Sequence, residues 1–224
     1  MEPRLAGQSI KDQAPEAYNS RCLSLHRKTT MDVLHTERLT LRTWRDDDLD
    51  AFVGLSREPE VYAFLPGPWT RDKASAFFAN QNRLYEHDGT CYFASVLRAT
   101  GALAGFAGLK YQDFDQPFAP CFELGWFLGR AHWGQGFAAE GARASIAHGF
   151  GALGLDEIVS FTVPDNLRSR RVMERLGMRR DLDGDFAHPA LPPGHRLSRH
   201  VLYRLRRADV DGGGRDQRGS TSRR

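Results

Sequence analysis

Residues 123–140 read ELGWFLGRAHWGQGFAAE, and the fold follows from that stretch. Phe122 to Leu128 is apolar at nearly every position, which predicts an interior strand covered on both faces. Glu123 is its one acid. Gly129 to Gln135 predicts a short loop, and a helix opens near Gly136. Gly134 and Gly136 let that loop turn sharply and let its backbone approach a ligand closely. The helix start presents unpaired N–H groups and the positive end of the helix dipole, which together suit a phosphate.

Three ligand classes use such a turn. A P-loop requires Lys and Ser/Thr after its last glycine, but Phe137 and Ala138 stand there. A dinucleotide fingerprint fits Gly134, Gly136 and Ala139, with acids following at Asp156 and Glu157. Against it, five residues separate the strand from Gly134, and the acids precede the next apolar run instead of following it. The third class is acyl-coenzyme A. Here the stretch resembles motif A of the Gcn5-related N-acetyltransferases, and W-G-Q-G-F-A-A-E (133–140) is similar to the ribosomal-protein N-acetyltransferase branch, RimJ/RimL-like. That family's pyrophosphate loop is Q/R-x-x-G-x-G/A. Aligned on the glycines, this chain has Ala131 at the Gln/Arg place, with Arg130 one position earlier.

The resemblance implies an α/β acyl-CoA N-acyltransferase fold. Its sheet would be mixed and mostly antiparallel, with a central splayed parallel strand pair and flanking helices. It implies acetyl-CoA as cosubstrate and an amine as acceptor. Trp126, Phe127 and Leu128 would offer backbone groups to pantetheine, with the Leu128 N–H toward the thioester oxygen. Ala131, His132, Trp133, Gly134, Gln135, Gly136, Phe137 and Ala138 would form the pyrophosphate cradle and helix start.

A second signature lies at 163–178, VPDNLRSRRVMERLGM. Asp165 or Asn166 caps a short helix, Val172, Met173 and Leu176 face the core, and Gly177 ends it. The pattern N-x-x-S-x-x-V-x-x-x-x-G is similar to the family's fourth-helix motif, which implies that Asn166 and Ser169 lie along the pantetheine arm. In much of the family a Tyr on this helix protonates the leaving thiolate. Met173 holds that place, so Ser169 is the nearest candidate donor. Glu123 is the candidate base, directly or through water; its alternative role is a buried acid paired with an Arg or a backbone N–H. The demand on a base depends on the acceptor. At pH 7 roughly one lysine amine in a few thousand is neutral, against more than about 10% of α-amines. A CoA-binding sensor without turnover is the alternative that the missing Tyr and Ala131 leave open.

The rest of the chain supplies the frame. Arg38 to Arg42 alternates as a half-buried strand. Asp46 is expected to cap a helix with Leu49, Phe52, Val53 and Leu55 inward, and Glu58-Pro59 to break it. Thr70 caps a second helix with Ala74, Phe77, Phe78 and Leu84 inward. Between them, Phe64 and Trp69 are either substrate-side residues, as the resemblance implies, or covers of the core. Cys91 to Leu97 and Ala102 to Lys110 form a hairpin, with Gly105 and Gly108 marking bulges or close packing. The helix from Gly136 buries Ala139, Ala142, Ile146 and Phe150, and Glu157 to Phe161 is the next parallel strand. His188 to His195 is an insertion beside the acceptor cleft, before a last strand at His200 to Leu205. Its two histidines lack the companions of a metal site, so no metal is expected.

The 224 residues make one domain, 35–206, between tails at 1–34 and 207–224 expected to be disordered. The net charge of +3 sits in the tails: residues 1–34 carry +1 and residues 206–224 carry +3, which leaves the segment between at −1. That balance argues against a nucleic-acid surface. No apolar run is long enough to span a membrane. Three cysteines, Cys22, Cys91 and Cys121, with no CxxC pair indicate a reducing, cytoplasmic setting. The chain is expected to act as a monomer or a homodimer.

Overall fold

The computed structural model describes residues 31–212. Expectations for the chain ends, including Cys22, lie outside the described residues. Among the described residues eight strands form one sheet: β1 (Asp32–His35), β2 (Leu39–Arg42), β3 (Tyr92–Leu97), β4 (Leu103–Gln112), β5 (Cys121–Leu128), β6 (Glu157–Thr162), β7 (Arg179–Ala187) and β8 (Arg199–Arg206). Their spatial order is β1-β2-β3-β4-β5-β6-β8-β7. All neighbours are antiparallel except β5 and β6. The α-helices are α1 (Leu49–Ser56), α2 (Pro59–Tyr62), α3 (Arg71–Asp88), α4 (Phe137–Gly151), α5 (Leu167–Arg175) and α6 (Arg207–Gly212).

Strand alternation sorts the core into two layers. Ala94, Val96 and Phe127 point to one face, where they meet Trp44, Phe52 and Phe78 of the α1–α3 side. Leu109, Leu124 and Ile158 point to the other, against Ala142 and Ile146 of α4 and Met173 of α5. Trp44 stacks on Phe78 with centroids 4.1 Å apart. Each buried Val, Leu, Ile, Phe or Met side chain among them contributes about 1.5–3 kcal/mol. The expected buried side of α4 is observed: Ala139, Ala142, Ile146 and Phe150 are all buried.

Local signals act largely as the sequence predicts. The Thr70 hydroxyl accepts the Lys73 N–H at 3.3 Å, and α3 ends on Gly89 in the left-handed region, φ 68°. Asn166 rather than Asp165 caps α5, its Oδ1 accepting the Ser169 N–H at 3.2 Å. Gly105 and Gly108 are close-approach positions, since a Cβ there would stand 2.0 Å from the Phe127 carbonyl oxygen and 1.8 Å from that of Cys91. The sheet also shifts register between Ser95 and Val96, opposite Gly105 and Leu103.

Three readings need correction, and one strand, β7, went unread. Asp46 is not the cap of α1: a 3-10 turn, Asp46–Asp48, precedes the helix. Asp48 stands at the N-cap position of α1 without a side-chain bond to that helix; its carboxylate turns back to take the Arg45 N–H at 2.9 Å and both Arg42 guanidinium arms at 2.7 Å. The sheet begins at Asp32, inside the segment assigned to the leading tail, because β1 is a four-residue edge strand that gains its order from β2 and packs Val33 and Leu34 against the core. The trailing segment opens with the short helix α6, whose start is anchored by the Arg207 N–H on the Asp156 carbonyl at 2.9 Å. β7 has no apolar alternation to announce it: RRDLDGDFA is an edge strand carried by pairing to β8, with Leu182 80% exposed.

Candidate active site

The site is made by a parallel pair that does not stay paired. β5 and β6 share one registered pair, Glu123 with Val159. The Ser160 hydroxyl then donates to the Leu124 carbonyl at 2.8 Å. Beyond it the strands part. Backbone groups alternate sides along a strand, so Trp126 and Leu128 point the same way as the Leu124 carbonyl, toward β6. The Gly129 N–H points the other way, to the Ala104 carbonyl at 3.0 Å. The Leu128 carbonyl is taken by the Trp133 indole N–H at 2.9 Å. The Trp126 N–H and C=O and the Leu128 N–H therefore face the gap.

The glycine loop closes one end of the gap. Gly134 and Gly136 adopt φ 73° and 85°, a region that costs a residue with a Cβ. Gly136 caps α4 without a side chain, so the first-turn N–H groups at Phe137, Ala138 and Ala139 are left open to the cavity that those residues line. The loop is held from outside. Arg38 donates to the Gln135 carbonyl at 2.9 Å and pairs with Glu140 at 2.6 Å. Burial alone would raise the Glu140 pKa, but the Thr36 hydroxyl and the Arg38 amide and guanidinium bring it below its ordinary value.

A cavity of about 680 Å³ joins this loop to the opposite sheet face. It is lined by Glu123, Trp126, Phe127, Leu128, His132, Trp133, Gly134, Gly136, Phe137, Ala138, Asn166 and Ser169. Ala131 and Gln135 are not on its wall: the Gln135 amide donates to the Ala131 carbonyl at 2.7 Å and braces the turn from behind. Arg130 is not on the wall either, and it pairs with Glu60 at 3.1 Å. Met173 is 1% exposed and belongs to the core. The Ser169 hydroxyl has no partner among the described residues. Phe64 lines the cavity, whereas Trp69 packs on Phe52 and Phe77 in the core.

Glu123 projects to the sheet face that carries α1 and α3, opposite Lys110 of β4. Its carboxylate accepts from the Gln112 amide and the Tyr92 hydroxyl, and no Arg pairs with it among the described residues. Burial pushes its pKa up, against the pull of Gln112, Tyr92 and Lys110. Gly125 leaves the Tyr92 ring its place, since a Cβ there would meet that ring at 2.8 Å. Tyr92 and Gln112 escaped sequence reading because only the β3–β4–β5 register brings them to Glu123. A second group, Arg168, Arg171 and Arg175, also lines the cavity, and the Arg168 guanidinium lies 4.2 Å over the Trp133 ring. Their i, i+3, i+7 spacing was the available signal. Among the described residues no three His, Cys, Asp or Glu side chains gather as a metal site, and no helix is long and apolar enough to cross a membrane.

A family model described as an acetyltransferase (GNAT) domain matches residues 38–179. The chain belongs to the GNAT acetyltransferases. The N-acetyltransferase YnaD of Bacillus subtilis, itself uncharacterized, is 30% identical over 171 residues, 76% of this chain and 94% of that protein. The FsC-acetyl coenzyme A-N(2)-transacetylase of Aspergillus fumigatus is 28% identical, covering 65% of this chain and 64% of its own length. Among solved structures, a GNAT-family acetyltransferase from Bacillus anthracis superposes with a TM-score of 0.62 at 26% identity, over 77% of this chain and 97% of its own. A ribosomal-protein-S5-alanine acetyltransferase from Vibrio fischeri shares the fold, with a TM-score of 0.62 at 17% identity over 80% of this chain and 96% of its own. In this GNAT acetyltransferase, the mixed sheet with one parallel pair and helices on both faces is the expected fold.

Proposed function

We propose that this chain transfers acetyl from acetyl-CoA to a primary amine, either a protein N-terminal α-amine or a small-molecule amine, by direct attack on the thioester. The gap between β5 and β6 carries this reading: its open strand groups run from the glycine loop toward Glu123. Pantetheine amides pair with Trp126, and the loop and the α4 start take the pyrophosphate. Arg168, Arg171 and Arg175 add charge for the phosphate groups. The donor agrees with the name of the Aspergillus fumigatus relative, which includes acetyl coenzyme A. A protein N-terminus as acceptor rests on the motif similarity to the ribosomal-protein branch.

In the reaction, the amine nitrogen bonds to the thioester carbonyl carbon and the Leu128 N–H stabilises the developing oxyanion. Loss of one such donor typically costs about 3 kcal/mol. Glu123 accepts the amine proton, directly or through water. Its raised pKa brings it nearer to working pH, which suits a general base. The C–S bond then breaks with its electron pair on sulfur, and the CoA thiolate takes a proton from the Ser169 hydroxyl, which regains one from water.

The test is CoA release by the purified full chain with acetyl-CoA and a panel of free-N-terminal peptides and monoamines. Turnover is expected, with kcat/KM reduced about 10²–10⁴-fold in Glu123→Gln while acetyl-CoA binding is retained. Acetyl-CoA binding without CoA release from any amine would contradict the proposal.

A further inference from the structure

The wall of the cavity away from the glycine loop is built by β6, β8 and the segment between β7 and β8. Phe161, His188, Leu191, Leu197 and His200 line it. The rings of His188 and His200 are 5.0 Å apart, and each lies 5.8 Å from the Phe161 ring. Phe186 packs 5.6 Å from His200. By strand alternation and register, Phe161, Phe186 and His200 share one face of the sheet, the face to which Glu123 also points.

Hydrogen bonds fix the tautomers of both imidazoles. His200 Nδ1 lies 3.1 Å from the Ser198 carbonyl, which can only accept, so Nδ1 carries the hydrogen and Nε2 the lone pair. His188 Nδ1 accepts the Ala190 N–H at 3.2 Å, so its hydrogen is on Nε2. Neither Nε2 has a hydrogen-bond partner among the described residues. Both rings are held neutral. Burial, then His200 and Lys110, lowers the His188 pKa to about 4, and burial lowers that of His200 against the pull of Ser198. The wall therefore presents one fixed donor and one fixed acceptor in apolar surroundings. Among the described residues Glu123 and Glu60 are the carboxylates on the cavity, and Glu60 is paired with Arg130.

We infer that His188 and His200 recognise the acceptor. His200 Nε2 receives an N–H or O–H from it, and the His188 Nε2–H donates to an oxygen on it. The acceptor class is then a single primary amine on an apolar or aromatic body that also carries a neutral amide or hydroxyl. A polyamine fits poorly, because its second ammonium would leave water for a wall without a second free carboxylate. This inference rests on the amine-acetylation reading above.

The probes are phenylalaninamide, which has all three features, and spermidine, a polyamine. The full chain carries ¹⁵N-labelled histidine and is saturated with CoA, so no turnover occurs. Phenylalaninamide is expected to shift the His200 ¹⁵Nε2 signal, and spermidine to leave it in place. With acetyl-CoA, His200→Phe should raise KM for phenylalaninamide about tenfold, the worth of one hydrogen bond, with kcat and acetyl-CoA stabilisation retained. His188→Gln, which keeps an N–H donor, is the second variant and should retain most of the affinity. An unmoved Nε2 signal in protein that acetyl-CoA still stabilises overturns the inference alone, as does an unchanged KM in folded His200→Phe. Absence of acetyl-CoA stabilisation overturns the cofactor reading beneath it.

Discussion

The Ser160 hydroxyl donates to the Leu124 carbonyl at 2.8 Å, and this bond stands where the parallel pairing of β5 and β6 gives out. It satisfies a carbonyl that the diverging neighbour no longer reaches through its backbone. Ser160 is 2% exposed, so water cannot take over the role. Ser160→Ala should cost about 1–3 kcal/mol in chemical denaturation, the penalty of a buried unpaired carbonyl, with the fold retained. An unchanged unfolding midpoint would mean that the tether does not hold the fork.

The glycine loop gives a sharper separation of stability from binding. At φ 85°, Gly136→Ala should cost about 1–2 kcal/mol of stability, and the new Cβ would sit 3.4 Å from the Arg38 guanidinium. Stabilisation by acetyl-CoA should fall by at least as much again, because the same turn aims the α4 amides at the ligand. Equal ligand-induced shifts in variant and parent would remove this loop from the binding site.

Asp48 lies on the other side of the molecule's chemistry, in a buried bidentate pair with Arg42 at 2.7 Å on both arms. Both residues are buried. Asp48→Asn leaves the Arg42 charge without its counter-ion and should cost about 3–5 kcal/mol in urea unfolding, with acetyl-CoA affinity unchanged in the folded fraction. A loss below about 1 kcal/mol would contradict the account of the α1 entrance.

The acid side of the stability profile carries the sign of His188. Its folded pKa of about 4 lies below its ordinary value of 6.5. The stability associated with the neutral ring is complete above about pH 6.5 and is lost as pH falls toward about 4. His200 contributes in the same direction, and Lys110 faces the same ring. In His188→Phe the unfolding midpoint should therefore fall less between about pH 7.5 and 4.5 than in the parent. An identical fall in both proteins would show that His188 does not titrate in this way.

How much of this was legible in the sequence depends on range. The strand, loop and helix of residues 121–151 could be read because each is announced by its own neighbours: an apolar run, two glycines, an alanine-rich face. The caps at Thr70 and Asn166 were equally local. β7 was not legible, because its order comes from β8 and its charges are paired across the sheet, as in Arg204 with Asp181 at 2.7 Å. Glu123 could be singled out as the one acid in a buried strand, but Tyr92 and Gln112 reach it only through the β3–β4–β5 register. The loop braces from Arg38 to Gln135 and Glu140 span about a hundred residues of chain, beyond any local pattern.

The central claim is that the β5–β6 gap and the glycine loop together bind acetyl-CoA. Thermal unfolding of the full chain with and without acetyl-CoA tests it most directly. At about a hundred times the dissociation constant, the ligand should stabilise the protein by about 2.7 kcal/mol. No shift at saturating acetyl-CoA, in protein shown to be folded, would contradict the account.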